Sequence, residues 1–217
     1  MAAVYNDTFI GIVNNGGIRN NIKAGEINGE DIFYVLPFGN TVDKLVLKGA
    51  QLRTALERAA SNLDPNNPEA DPGFGLQFVG LRLEIEVRAS NVGKRIVSLQ
   101  VEIPSPAHAK AIDDAVQYED IDDEEVYAIA INSFMAPEGA QRYERDIFDD
   151  LEYIEHIPGV ITDFDAMKKW VIENSPLKPS VEGKLRISYP DNSAAVLSSV
   201  GSGSLLMAVA VALTLCN

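Results

Sequence analysis

Cysteine is nearly missing from this chain: Cys216, at the far end, is the only one among 217 residues. A disulfide frame and a thiolate metal site are both excluded. Histidine is almost as scarce. His108 and His156 are the only two, they lie far apart, and neither belongs to an HxxxH or HxxEH spacing. Both are read as surface or loop histidines, and no metal-ligand cluster forms around them. Basic residues are also in deficit, with 18 against 32 acids and a net charge of −14. Such a surface repels polynucleotides and anionic headgroups at long range. Nucleic acid is therefore excluded as a partner, and a small anion can bind only where an arginine reverses the local sign. A long apolar run is lacking too. The stretch Leu205–Cys216 holds 12 residues, whereas a membrane span needs about 20.

What is present is a globular chain. Hydrophobic residues make up 46%, enough to exclude disorder over most of the length and to fill one substantial core. Thr8–Val13 reads as a buried strand. Asn28-Gly29-Glu30-Asp31 is an acidic start for a short helix through about Val35, which Pro37 ends. Thr41–Leu47 suits a strand, and Gly49 then opens a helix with Leu52, Ala55, Leu56, Ala59 and Ala60 on one face. Ser61–Phe74, rich in Pro, Asn and Gly, is loop. Leu76–Val87 and Ile96–Ile103 are sheet segments; in the first, Leu81, Leu83, Ile85 and Val87 alternate with charged residues. The acidic run Tyr118–Glu125 is read as a solvated loop, because it lacks the spacing of a calcium loop. Val126–Ile131 is another strand, Arg145–Glu155 and Thr162–Asn174 are helical patterns, and Gly183–Tyr189 is a final strand. Strands and helices mix without βαβ alternation. The expected class is α+β, a mixed sheet with packed helices.

Two turns carry chemistry. Asn14-Asn15-Gly16-Gly17-Ile18-Arg19 leaves an apolar strand through glycines and ends on a guanidinium. Leu36-Pro37-Phe38-Gly39-Asn40 sets a ring and an amide two residues apart on a tight turn. Glycines admit close backbone approach, arginine holds an acidic group bidentately, a ring stacks, and an amide reads a base edge. Plain turn chemistry explains each motif equally well when it stands alone.

Together with Lys48–Leu52, Leu76–Arg82, Val126–Ala136 and Ser180–Leu185, these motifs resemble the C-terminal, nucleotide-binding domain of the 5′-nucleotidase family, which includes ecto-5′-nucleotidases and apyrases. The likeness covers Thr8 to Ser188. It implies a four-layered sheet-and-helix domain over residues 1–189, which grips AMP or a related nucleoside phosphate. In the family two phenylalanines clamp the base, and the matching positions are Phe38 and Phe134. Asn14 matches the asparagine near the base edge and Arg19 the arginine near phosphate and ribose. Asn40 and Gly80 follow as weaker matches. Without the likeness, Phe134 reads as a core residue.

Two departures stand out. Asn15 replaces the first glycine of the family's triple, which asparagine's tolerance of positive φ would allow. Ala140 occupies the position of an aspartate that grips the ribose hydroxyls, with Glu138 the nearest acid. Each such charged hydrogen bond contributes on the order of 1.5–3 kcal/mol, so weakened or altered binding is expected.

The resemblance also implies a dimetal centre, of zinc in the family, in an N-terminal hydrolase domain whose ligand cluster this chain lacks. No cofactor and no catalytic residue is therefore assigned here. The chain opens without a signal-peptide pattern and is read as a piece of a longer protein. Residues 190–217 match a three-part lipid-anchor signal: small residues with attachment candidates Asn192 and Ser193, a spacer, and an apolar end. A frayed interfacial helix is the alternative for that end. Asn6-Asp7-Thr8 is a candidate glycosylation triplet. The intact protein is accordingly expected on the extracellular face of the plasma membrane, held by a glycosylphosphatidylinositol anchor, with a homodimer allowed. The competing functions are a stand-alone nucleotide-binding module and a degenerate fragment that binds nothing.

Overall fold

The structure is a computed structural model that describes residues 10–68, 73–103, 117–137, 147–148, 150–177, 184–190 and 196–198. Branched apolar runs form strands β1 (Ile10–Asn14), β2 (Val42–Lys48) and β7 (Val126–Asn132), joined in one sheet by β3 (Leu76–Val79) and β8 (Glu155–Ile157) in the order β3-β1-β7-β2-β8. β1 and β7 are parallel, and the other pairs are antiparallel. The alternating segment gives β4 (Leu81–Glu86), which lies between β5 (Ile96–Glu102) and β9 (Leu185–Ser188) in a second sheet. That sheet is edged by β6 (Tyr118–Asp120) and β10 (Val196–Ser198).

Three α-helices among the described residues complete the layers. The first, α1 (Gly29–Val35), is closed at its start by a capping box: the Asn28 side chain accepts from Glu30 and Asp31, and Asp31 accepts the Asn28 N–H. The last, α3 (Asp163–Asn174), is capped by Thr162, whose hydroxyl oxygen accepts the Asp165 N–H. Between them in sequence, α2 (Gly49–Ala60) buries the apolar stripe expected of it. Ile32 and Val35 of α1 and Ala166, Met167 and Val171 of α3 cover one face of the first sheet through Val13, Val42 and Ala130. On the opposite face Ile10, Ile12, Leu45 and Leu47 meet Leu52, Leu56 and Ala59 of α2, together with Leu81, Leu83, Ile85 and Leu99 of the second sheet. The order is helix, sheet, helix, sheet, and the α+β fold with four layers is as expected.

Four local readings change. Leu76–Val87 is not one strand: Gly80, at φ +76°, turns the chain out of the first sheet and into the second. Tyr118–Asp120, in the acidic run, pairs with Gln100–Glu102 at an edge, where Glu119 and Asp120 stay exposed. The rest of that run fastens α2: Glu124 meets Lys48 at 2.8 Å and Asp123 meets Arg53 Nε at 3.0 Å. No described residue of the pattern 145–155 is helical. Ile147 and Phe148 are buried in a turn, Asp150 takes φ +55°, and the chain then enters β8. Apolar spacing there mimics a helix because two side chains enter the core while Ile154 faces solvent. Finally, Val196–Ser198, expected in a spacer, pairs with Ser188–Arg186 of β9. Arg145, His108, Glu138, Ala140, the Ser180–Gly183 motif, Asn192, Ser193 and residues 199–217 lie outside the described residues.

Candidate functional site

The parallel pair decides where the motifs meet. β1 and β7 both end at one rim of the first sheet, while β2 and β3 begin there, with Val42 opposite Asn132 and Leu76 opposite Asn14. Three loops leave this rim, carrying Asn14–Arg19, Pro37–Asn40 and Ser133–Phe134.

After Asn14 the chain makes one 3-10 turn, Asn15–Gly17. A Cβ on Gly16 would stand 3.2 Å from Asn14 Nδ2, and one on Gly17 would stand 3.2 Å from Asn14 Oδ1 and 3.5 Å from Asn132 Nδ2. The glycines thus leave room for the Asn14 amide. Asn15 does not use positive φ, which among the described non-glycine residues occurs only at Asp150. Its side chain is used instead: Oδ1 accepts from Gln77 Nε2 at 2.8 Å, and its N–H donates to the Gly75 carbonyl at 2.9 Å.

Arg19 is exposed and projects beside the second loop. One guanidinium nitrogen donates to the Gly16 carbonyl at 3.1 Å, and Cζ stands 5.8 Å from the centre of the Phe38 ring. This is a cation over an aromatic face, with the remaining donors of the fork available to an anion. Phe38 is 58% exposed on a turn that Gly39 completes at φ +63°. A ring this open leaves its surface accessible for stacking against a planar group. Asn40 is tied down: its carbonyl accepts the Asp163 N–H at 2.8 Å, and its Nδ2 lies 3.5 Å from Asp163 Oδ2.

The third loop is stitched to the second. Ser133 N–H donates to the Thr41 carbonyl at 2.8 Å, and Thr41 N–H donates to Ser133 Oγ at 3.0 Å. Phe134, next in the chain, is half-buried against the larger core. Asn14, Arg19, Phe38, Asn40 and Phe134 therefore share one rim. Gly80 does not join them. Val79 before it faces Gly11, three residues back from Asn14, or about 10 Å along the strand. The glycine at the site end of β3 is Gly75.

Sequence reasoning missed the residues that hold these loops. Asp43, 3% exposed, accepts from Thr41 Oγ1 at 2.8 Å and from the Gly159 N–H at 2.9 Å, and its Oδ2 lies 2.9 Å from His156 Nε2. His156 is thus no surface or loop histidine: it lies in β8 with its side chain largely buried. A charged residue inside an apolar strand, Asp43 in Val42–Leu47, was the available signal. Asp163 is also buried, and burial pushes its carboxyl up to about 6, against opposing hydrogen bonds from Phe164 N–H and Asn40. Raised in the folded state above the ordinary 3.8, this group favours folding as the pH falls through 6 and adds nothing further below about 4. Between pH 7.5 and pH 4 it should contribute about 2 kcal/mol of added stability, discounted for residual solvent screening. Urea denaturation at both pH values should show this increment in the parent chain and lose it in Asp163→Asn.

Among the described residues no three His, Cys, Asp or Glu side chains converge as a metal site needs. These residues do not fit the dimetal centre, so no step is derived through one. Nor is any helix among the described residues long and apolar enough to cross a membrane.

A two-sheet α+β domain with three loops gathered at one rim is thus defined, and similarity to known proteins says which kind. The profile of the family described as "5'-nucleotidase, C-terminal domain" matches residues 1–145. A "5'-nucleotidase-related protein" of Glossina morsitans morsitans is 33% identical over 83% of this chain and 29% of its own length. An "Apyrase" of Tabanus yao is 30% identical over 82% of this chain and 29% of its own length. The crystal structure of a 5'-nucleotidase precursor from Thermus thermophilus superposes with a TM-score of 0.65 at 26% identity, over 83% of this chain and 32% of that one. The chain belongs to the 5′-nucleotidase C-terminal domain family. It spans about a third or less of the length of these relatives.

Proposed function

We propose that this chain is the substrate-recognition domain of a 5′-nucleotidase or apyrase, taking the base of AMP or a related nucleoside phosphate at the rim between Phe38 and Phe134. The observation that carries the reading is the exposed Phe38 ring with the Arg19 guanidinium 5.8 Å from its centre. Apolar stacking for a base and a cation for its phosphate lie side by side. Stacking contributes on the order of 1–3 kcal/mol per base. The cation overcomes a net charge of −14 only at close range. Asn14 meets the base edge and Asn40 supports the turn that carries the ring.

In this proposal hydrolysis belongs to a dimetal centre outside the described residues, and the role of this domain is to hold the nucleotide. The apolar end of the 190–217 tail, beyond β10, serves as the signal for a lipid anchor that holds the intact protein on the extracellular face of the plasma membrane, and a homodimer fits the same reading. Calorimetry with AMP tests the binding claim: saturable one-to-one binding is expected, with no phosphate released when zinc is added. Absence of binding would support a degenerate domain, and phosphate release would place the reactive centre in this chain.

A further inference from the structure

Asn132 ends β7 with its side chain fully buried, and its hydrogen bonds leave no choice of orientation. The Met135 N–H, which can only donate, lies 3.1 Å from Asn132 Oδ1. The other end of that amide is therefore the NH2 group, and it donates to Asn14 Oδ1 at 2.8 Å. The Asn14 oxygen thereby has a fixed partner, and its Nδ2 is left on the Gly16 side, 3.2 Å from where a Cβ on that residue would stand. An unconstrained asparagine could offer a ligand either an acceptor or a donor. Here a backbone N–H, relayed through a buried amide, settles which.

We infer that Asn132 is a positioning residue that fixes Asn14 as a hydrogen-bond donor, so that the rim selects heteroaromatic bases presenting a ring-nitrogen acceptor to it. This rests on the proposed nucleotide site and specifies what part of the base it reads. A base edge presenting an N–H at this point would meet another N–H and leave two donors unpaired, a costly arrangement in a desolvated site.

Calorimetry with AMP and its 1-, 3- and 7-deaza analogues, each lacking one ring-nitrogen acceptor, provides the test. The parent chain should bind one analogue at least about fivefold more weakly than AMP, the value of one hydrogen bond. That discrimination should fall to within about twofold in Asn14→Ala and equally in Asn132→Leu, whose side chain keeps the volume without the donor. Equal binding of all three analogues and AMP by the parent would overturn the inference while leaving the nucleotide site standing. So would discrimination that persists in Asn132→Leu. Failure of the parent to bind AMP at all would remove both readings. Should Asn132→Leu not fold, side-chain amide exchange in the unaltered protein decides the matter. The Asn132 NH2 protons are expected to exchange at least about tenfold more slowly than those of exposed Asn20, as a buried, bonded amide should. Matching rates would contradict the relay.

Discussion

Gly159→Ala is expected to lower stability by about 3 kcal/mol. A Cβ at this position would lie 1.8 Å from the Val42 carbonyl oxygen and 2.6 Å from its carbon. The obstacle is backbone, so no side-chain rotation relieves it. Moving residue 159 away would also break its N–H bond to buried Asp43, the residue that holds Thr41. For a chain of this size the loss corresponds to a fall in midpoint of roughly 6–12 °C. Gly49→Ala, facing the Asp122 carbonyl oxygen at 2.1 Å, should behave similarly. Gly29→Ala is the contrast: nothing lies within 4 Å of its Cβ, and it begins a helix. Its stability should stay within about 0.5 kcal/mol of the parent. Urea midpoints for the three variants check this, and equal losses at Gly29 and Gly159 would refute the packing described between β2 and the chain after β8.

The second large effect concerns binding. Phe38→Ala should weaken AMP affinity by about 1–3 kcal/mol, or roughly 5- to 150-fold, because in the proposed site the ring supplies one face of the base contact. Its folding stability should change little, since an exposed ring contributes little to the core. Arg19→Ala should also weaken AMP, yet leave adenosine affinity within about threefold of the parent's, because the guanidinium is assigned to the phosphate side. Comparing the two ligands separates stacking from charge. A Phe38→Ala chain that binds AMP as well as the parent would place the base elsewhere.

Much of this fold was readable from the residues, for reasons that differ by element. Helix α2 declared itself because its apolar positions follow the helical period without interruption, and β4 because it alternates over one wet and one buried face. The stretch Ile147–Glu155 misled because periodicity records where apolar residues fall and not what the backbone between them does; Asp150 at φ +55° breaks any helix there. The strand Tyr118–Asp120 was hidden by its acidic composition, since an edge strand needs no buried face on both sides. At the site, Phe38 and Arg19 stood out because glycine and proline turns point to exposed side chains. Asp43, Asn132 and Asp163 did not stand out. Their roles depend on pairings between residues more than 90 apart in sequence, Thr41 with Ser133 and Asn14 with Asn132 among them. Gly80 illustrates the converse, a conspicuous glycine whose function is to pass the chain from one sheet to the next.

The measurement that bears most directly on the account is an NMR titration with AMP that reads nuclear Overhauser contacts from the adenine protons. Contacts to the ring protons of both Phe38 and Phe134 are expected, with the Arg19 guanidinium shifting as the phosphate arrives. Adenine contacts confined to another part of the domain, or to one ring with the other unmoved at saturation, would contradict it.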